Sequence, residues 1–525
     1  MIHRPVLCRR FIGRGEELAY LHEWRRDAGA SRGGVVLIAG EAGLGKSRLL
    51  REFSAPLQKS RWRVAPAPCL EFGQRPYGPI LDALARLDPA AAEVVPAASK
   101  HEQFEALAAA FTRVVARGAV LVIVEDLHWA DVATLEFLLH LSPRLATMRM
   151  LLVTSFRPEE VPPEHPAGAA VARLARAVHA GRVDLGPLDD AERESFIDAA
   201  LDGIPLPQSA RRTVARASEG NPFFIEELLK SAVERREARA PAVPSSLPPT
   251  LNATLLERLR PLSETDRRVV AHASVIGRSF ELPLLAETLG TAVESLLPAL
   301  RRARDLQLIE EASPQLFRFR HALTREAIYG GFLGAEVRAL HRRIALAIEK
   351  EGAERSVESL AYHWSAAGDS ERTARYNVTA GDAAAALNAH DDAIAFYVRA
   401  VEALGDDDAA RAAVLEKIAQ RQIALAQYGG AAAATLDAAN AYAAAGDLDA
   451  EARCRVSESL QKYTLGRPEP TRDLVAMLAR LPEDAALPRA RLHVGIAWMA
   501  ASFYETSLAT QHLDAVDVAA LRCAP

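Results

Sequence analysis

The chain has 525 residues, too long for a single hydrophobic core, and roughly two to four domains are expected. Half of its residues are apolar and a quarter charged, the balance of an ordinary globular protein. A net charge of −5 argues against nucleic-acid binding by the chain as a whole, and no stretch approaches the roughly 18 apolar residues of a membrane span.

The N-terminus, MIHRPVLCRRFIGRGEEL, has neither an apolar segment nor a small-residue cleavage site, so no export signal is expected. Cys8, Cys69, Cys454 and Cys523 are scattered without a CxxC pair. They read as free thiols, and the expected compartment is the reducing cytoplasm.

From about residue 10 to 185, short apolar runs alternate with helical segments. The runs VVLIAG (35–40), AVLVIV (119–124), MLLVTS (150–155) and RVDLG (182–186) predict buried parallel strands. Between two of them, HEQFEALAAAFTRVVAR places Phe104, Leu107, Phe111 and Val114 on one helical face.

The first run leads into Gly40-x-x-x-x-Gly45-Lys46-Ser47, a full P-loop pattern in its required strand–loop–helix context. Gly40, Gly43 and Gly45 let backbone N–H groups turn inward around a phosphate. Lys46 brings a point charge to the β and γ oxygens, and the Ser47 hydroxyl is offered to Mg²⁺.

The second run ends in LVIVEDLHWAD, with Glu125 and Asp126 at the tip of a buried strand. One acid there can hold Mg²⁺, and its neighbour can orient or deprotonate an attacking water. Which of the two faces the metal is open, because the usual first acid is an aspartate. His128 follows, as a catalytic or a structural histidine. The third run ends in TSFRPEE, where Arg157 either senses a γ-phosphate or pairs with Glu159 or Glu160.

Beyond about residue 187 strands nearly vanish. DDAERESFIDAAL and NPFFIEELLKSAVERRE read as helices, and ARAPAVPSSLPPTL (238–251) as a linker. SETDRRVVAHASVI opens like a capped helix, with Ser263 and Asp266 in capping-box-like positions. Further helices lead to LQLIEEASPQLFRFRH, two β-like runs around a Ser-Pro turn, which together suggest a winged helix. From 335 onward the chain is alanine-rich and helical. Ala393, Tyr397 and Ala400 follow a tetratricopeptide pattern, and Gly-Asp turns separate the helices.

FIGRGEEL (11–18), the P-loop, VEDLHWAD, TSFRPEE, EGNPFFIEEL (219–228) and FRFRHALTREAIY (317–329) occur in one order over about residues 11 to 405. In this they resemble the signal-transducing STAND ATPases, and more narrowly the large ATP-binding regulators of the LuxR type. The same ATPase module is found in some bacterial adenylyl cyclases and is similar to origin-recognition-like AAA proteins. The resemblance implies that Ile12 and Arg14 line the adenine side and that Pro222 lies against the base. It also implies that His321 closes over the β-phosphate of ADP in a resting form. Read from the residues alone, Pro222 could simply open its helix and His321 could be an ordinary histidine.

The expected fold is therefore multidomain, α/β followed by all-α. A P-loop ATPase domain with a parallel sheet spans 1–185, a helical lid 186–237, a linker 238–250 and a winged helix 251–334. Tetratricopeptide-like repeats span 335–525, and their end inside the repeat pattern suggests truncation. The expected function is a switch, closed with ADP and open with ATP and Mg²⁺, reset by slow hydrolysis and serving transcriptional regulation. The expected partners are an inducer, small molecule or protein, on the repeats, and further copies of the chain in the ATP state. No DNA-binding domain is evident: LRRARD (300–305) is the one candidate face, and no basic helix follows LRCAP. The alternatives are an ATPase module associated with cyclase signalling, an AAA-type remodelling ATPase, and a scaffold with a vestigial site.

Overall fold

The computed structural model describes residues 6–89, 97–237, 256, 259–352, 357–405, 407–466 and 470–522. The expected linker, 238–250, and Cys523 lie outside them. The chain divides into two compact units, 1–367 and 368–525.

In the first unit a five-stranded sheet is built from β1 (Gly34–Ala39), β2 (Arg63–Pro66), β3 (Val120–Val124), β4 (Met150–Phe156) and β5 (Ala180–Asp184). All pairings are parallel and the order is β2-β3-β4-β1-β5. Every residue of β1, β3 and β4 is buried, which is why these strands read as unbroken apolar runs. β2 has no such signature. It is a four-residue edge strand, mostly half-buried and ending in proline.

Registry fixes the site. Ile38 pairs with Ser155 and Val124 with Thr154, so the carboxyl ends of β1 and β3 flank that of β4. Crevices at such strand ends are where open α/β sheets bind ligands.

Three helices, Asp190–Leu201, Gln208–Ala217 and Pro222–Glu237, follow β5 in the segment expected to form a lid. The first carries a full capping box between Asp189 and Glu192. Their core of Leu188, Ile197, Leu201, Ile225 and Leu229 also takes in Val6 and Cys8 from the N-terminal segment.

A winged-helix arrangement comes next. Helices Glu264–Ile276, Leu282–Leu289 and Val293–Asp305 pack with an antiparallel sheet of β6 (Ser279–Glu281), β7 (Ile309–Ser313) and β8 (Leu316–Phe319), ordered β6-β8-β7. Ser263 caps the first helix by accepting the Asp266 N–H, but the Asp266 carboxylate does not return the bond. It is held instead by Arg302 at 2.6 and 2.7 Å, so only half of the box forms.

Helix Ala322–Tyr329 follows, reaching the loop after β2 and the helix that Pro222 opens. Its Arg325 is 2% exposed and donates to Glu71 at 2.5 Å and to the Ser274 carbonyl at 3.1 Å. The same guanidinium lies over the rings of Phe72 and Tyr329. Helices Gly334–Gly352 and Val357–Ala367 complete the unit.

The second unit is helical throughout its described residues, from Ser370–Ala386 to Val518–Arg522. Asp369, Asp407 and Asp447 each cap a helix by accepting the N–H three residues on, a recurrence that marks the repeats. Ala393, Tyr397 and Ala400 are buried, as their pattern predicts. Among the described residues no helix is long and apolar enough to cross a membrane.

Gly381 shows why small residues dominate these contacts: a Cβ there would stand 2.5 Å from the Tyr397 ring. Gly381→Ala is therefore expected to destabilise the helical unit by about 1–3 kcal/mol despite its better helix propensity. Thermal unfolding followed by circular dichroism checks this, and an unchanged midpoint would contradict the packing.

Candidate nucleotide site

β1 ends at Ala39, and the chain turns from Gly40 through Gly43 (φ 86°) and Gly45 (φ 95°) into helix Lys46–Gln58. These left-handed dihedrals are open to glycine at no steric cost. A Cβ on Gly43 would also meet the Asn221 amide oxygen at 2.7 Å. Asn221 belongs to the lid, and its Nδ2 donates to the Ala42 carbonyl at 3.0 Å while its Oδ1 accepts the Phe223 N–H at 3.1 Å. One side chain thus fastens the loop to the lid and caps the helix that Pro222 opens.

Lys46 is 8% exposed, and its Nζ donates to the carbonyls of Gly40 at 2.5 Å and Glu41 at 2.9 Å. Burial, with the Arg157 guanidinium adding to it, lowers the ammonium to a pKa of about 8.

Beyond β3, Asp126 takes a left-handed conformation (φ 60°), and its N–H donates to Ser155 Oγ at 3.2 Å. Its carboxylate lines the same cleft as Lys46 and Ser47. Glu125 stays half-buried outside that lining, its carbonyl accepting the Cys69 N–H at 2.9 Å. His128 is buried beneath, neither ring nitrogen making a hydrogen bond, and burial lowers it to about 4, so it is neutral at pH 7. Arg157 lines the cleft while donating to Glu160 at 2.5 Å, with Glu326 at 3.6 Å and the Trp129 ring beneath it.

The cleft encloses about 1160 Å³, its open mouth included. Its apolar end holds Ile12, Leu188, Phe196 and Pro222, suited to a flat base. Arg14 stands beside them, its guanidinium on the Gly186 carbonyl and 3.3 Å from Glu17. Cys8 also lines this end, and burial pushes its thiol up to about 11, so it is protonated and unreactive at neutral pH. Among the described residues seven arginines and Lys46 line the cleft, against the carboxylates of Asp126 and Glu226, so its ligand is an anion. The Ser47 hydroxyl and the Asp126 carboxylate are hard oxygen donors. Such a sparse set fits Mg²⁺, which keeps its waters and shares phosphates.

His321 and Arg278 reach this cleft from the winged helix. The His321 ring lies 4.3 Å from that of Phe223, and Arg278 donates to Asp126 at 2.5 Å. Asn221 was legible only as part of a Gly-Asn-Pro element. Arg278 follows a helix-ending glycine and carries no motif at all.

Residues 10–153 match the AAA ATPase domain family. The first unit carries an AAA ATPase domain. Nucleotide binding goes with that assignment. An uncharacterized protein of Rhizobium meliloti (strain 1021) is 28% identical over 449 residues, which cover 75% of this chain and 43% of that protein. The chain thus spans less than half the length of that relative. Among solved structures, a signal transduction ATPase with numerous domains (STAND) and a tetratricopeptide repeat sensor, from Pyrococcus horikoshii, is 13% identical with a TM-score of 0.48. That match covers 99% of this chain and 78% of that one. The Walker-type ATPase of Pyrococcus abyssi is 16% identical with a TM-score of 0.31, over 62% of this chain and 99% of that one. Both scores lie below 0.5 and describe loose likenesses.

The low pKa of Lys46 gives the ATPase domain a defined pH response. Phosphate binding favours the charged lysine, so binding above pH 8 must take up a proton. Nucleotide affinity is expected to be flat below about pH 8 and to fall by up to about tenfold per unit above it. Calorimetry in two buffers of different ionisation enthalpy reads the proton uptake directly, and its absence at pH 9 would contradict the assignment.

Proposed function

We propose that the first unit is a nucleotide-gated switch of the STAND type, closed around ADP and opened with ATP. The observation that carries this reading is the composition of the cleft wall. The phosphate loop lies on one side, and His321, Ala322 and Leu323 of the winged-helix region on another, so moving the winged helix alters the site. A ligand that favours one arrangement needs a differential affinity of only about 1–3 kcal/mol to set the balance.

In this reading Lys46 and the backbone around Gly43 and Gly45 hold the β-phosphate, and His321 closes over it. Ile12, Leu188 and Pro222 take the base. Asp126 and Ser47 hold Mg²⁺, which supplies charge neutralisation on the phosphates. Arg157 is drawn from Glu160 toward a γ-phosphate when one is present, and Glu125, half-buried outside the cleft lining, would have to turn inward to assist a water. Hydrolysis is a slow reset. The inducer binds the helical repeats, the ATP form self-associates, and the output is transcriptional, as the order of LuxR-type motifs suggests.

The nucleotide released by acid from the purified protein is the first test. Stoichiometric ADP that survives gel filtration supports the closed switch, whereas an empty site with brisk turnover favours a working ATPase. Lys46→Ala is expected to weaken ATP binding roughly 100-fold with the fold intact, the loss of a charged hydrogen-bonding group. His321→Ala is expected to raise the ADP off-rate about tenfold, and equal off-rates in stopped flow would remove His321 from the closure.

A further inference from the structure

The winged helix enters the cleft at two places, and the motif containing His321 accounts for only one. Arg278 stands between Gly277 and β6, and its carbonyl accepts the Phe319 N–H at 2.8 Å, so its backbone moves with the wing. Its Nη1 donates to Asp126 Oδ2 at 2.5 Å across 152 residues of chain. The pair is sheltered, with side-chain exposures of 27% for Arg278 and 7% for Asp126. The Arg278 Nε is buried and makes no hydrogen bond, so the guanidinium gives up part of its donor capacity to reach this carboxylate.

Asp126 is also the carboxylate that shares the cleft with Ser47, the donor pair that fits Mg²⁺. Arg278 occupies Oδ2 of that carboxylate, and a divalent cation drawn to the same group would stand beside a guanidinium whose charge repels it in a poorly screened site.

We propose that Arg278 guards the metal position: in the closed form it holds Asp126 so that nucleotide binds without Mg²⁺, and the cation gains the carboxylate only as the winged helix withdraws. The inference rests on the switch reading and names the regulation of that same site. Linkage makes the effect reciprocal: opening raises metal affinity by the factor by which metal favours opening. ADP retention and hydrolysis are thereby separated, since the closed form keeps its nucleotide while lacking the ion that hydrolysis needs.

The full chain is loaded with a fluorescent ADP analogue in EDTA, exchanged into metal-free buffer, and titrated with Mn²⁺, the free ion being read by electron paramagnetic resonance. The expected result is ADP binding by wild type and Arg278→Gln alike, with Mn²⁺ held at least about tenfold more tightly by the variant, the equivalent of one modest charged contact. Should Arg278→Gln fail to fold, Arg278→Lys is the second variant. Its compact, strongly hydrated ammonium holds a carboxylate less well than the guanidinium fork, so a smaller gain in the same direction is expected. Equal Mn²⁺ affinities with intact ADP binding overturn the guard while leaving the switch standing. Equal affinities with reduced ATP turnover in the variant overturn it in favour of a phosphate-directed arginine. Failure of the wild type to bind ADP in either EDTA or Mn²⁺ overturns the switch reading itself and the guard with it.

Discussion

The buried guanidinium of Arg325 ties three parts of the first unit together. It joins the loop after β2 through Glu71 and Phe72, the first winged-helix helix through Ser274, and its own helix through Tyr329. Glu71 pays part of the cost, since burial raises its carboxyl above the usual range although Arg325 opposes this. A pair of that kind adds little net stability, but losing either partner strands a charge and costs roughly 3–5 kcal/mol. It therefore acts less as glue than as a registration pin, fixing where the winged helix sits against the loop after β2. His321, one turn before Arg325, and the wing bearing Arg278 follow that placement.

Three cationic groups meet at the phosphate end, and each has an internal partner. Lys46 rests on loop carbonyls, Arg157 on Glu160 and Arg278 on Asp126. An incoming phosphate must exchange the contacts of Lys46 and Arg157 for its own while Arg278 keeps its carboxylate, so the free energy of binding is a difference between two well-satisfied arrangements. Such an exchange can be biased from a distance, because shifting any one internal partner alters what the phosphate gains. The apolar end is different in kind. The helical core that encloses the N-terminal segment also lines the cleft there, through Cys8, Leu188 and Phe196, so that end is set by packing rather than by charge.

How much of this was legible from sequence follows from where the constraints are local. The central strands are buried on both faces, and their apolar runs name them. The phosphate loop needs two left-handed glycines before a helix, and the sequence supplies them. The capping aspartates of the repeats are equally local, as is the Ala-Tyr-Ala packing pattern. β2 and β6 are too short, and β2 too half-buried, to carry a periodic signal. Arg278, Arg325 and Asn221 act through partners 152, 254 and 179 residues away, and no spacing rule reaches across such distances. The choice between Glu125 and Asp126 as the cleft-lining acid was open in the sequence for a related reason: it depends on a single dihedral angle.

That dihedral has a consequence for which amino acids the position can accept. At φ 60° the backbone of residue 126 is in the region that asparagine and aspartate enter far more readily than residues with longer or branched side chains. The left-handed turn therefore selects the shorter acid second and leaves the longer one just past the strand end. Exchanging the two, to give Asp-Glu, would conserve charge and composition while placing the unfavoured side chain at the strained position. The order of this acidic dipeptide is thus written by backbone sterics before any question of catalysis arises.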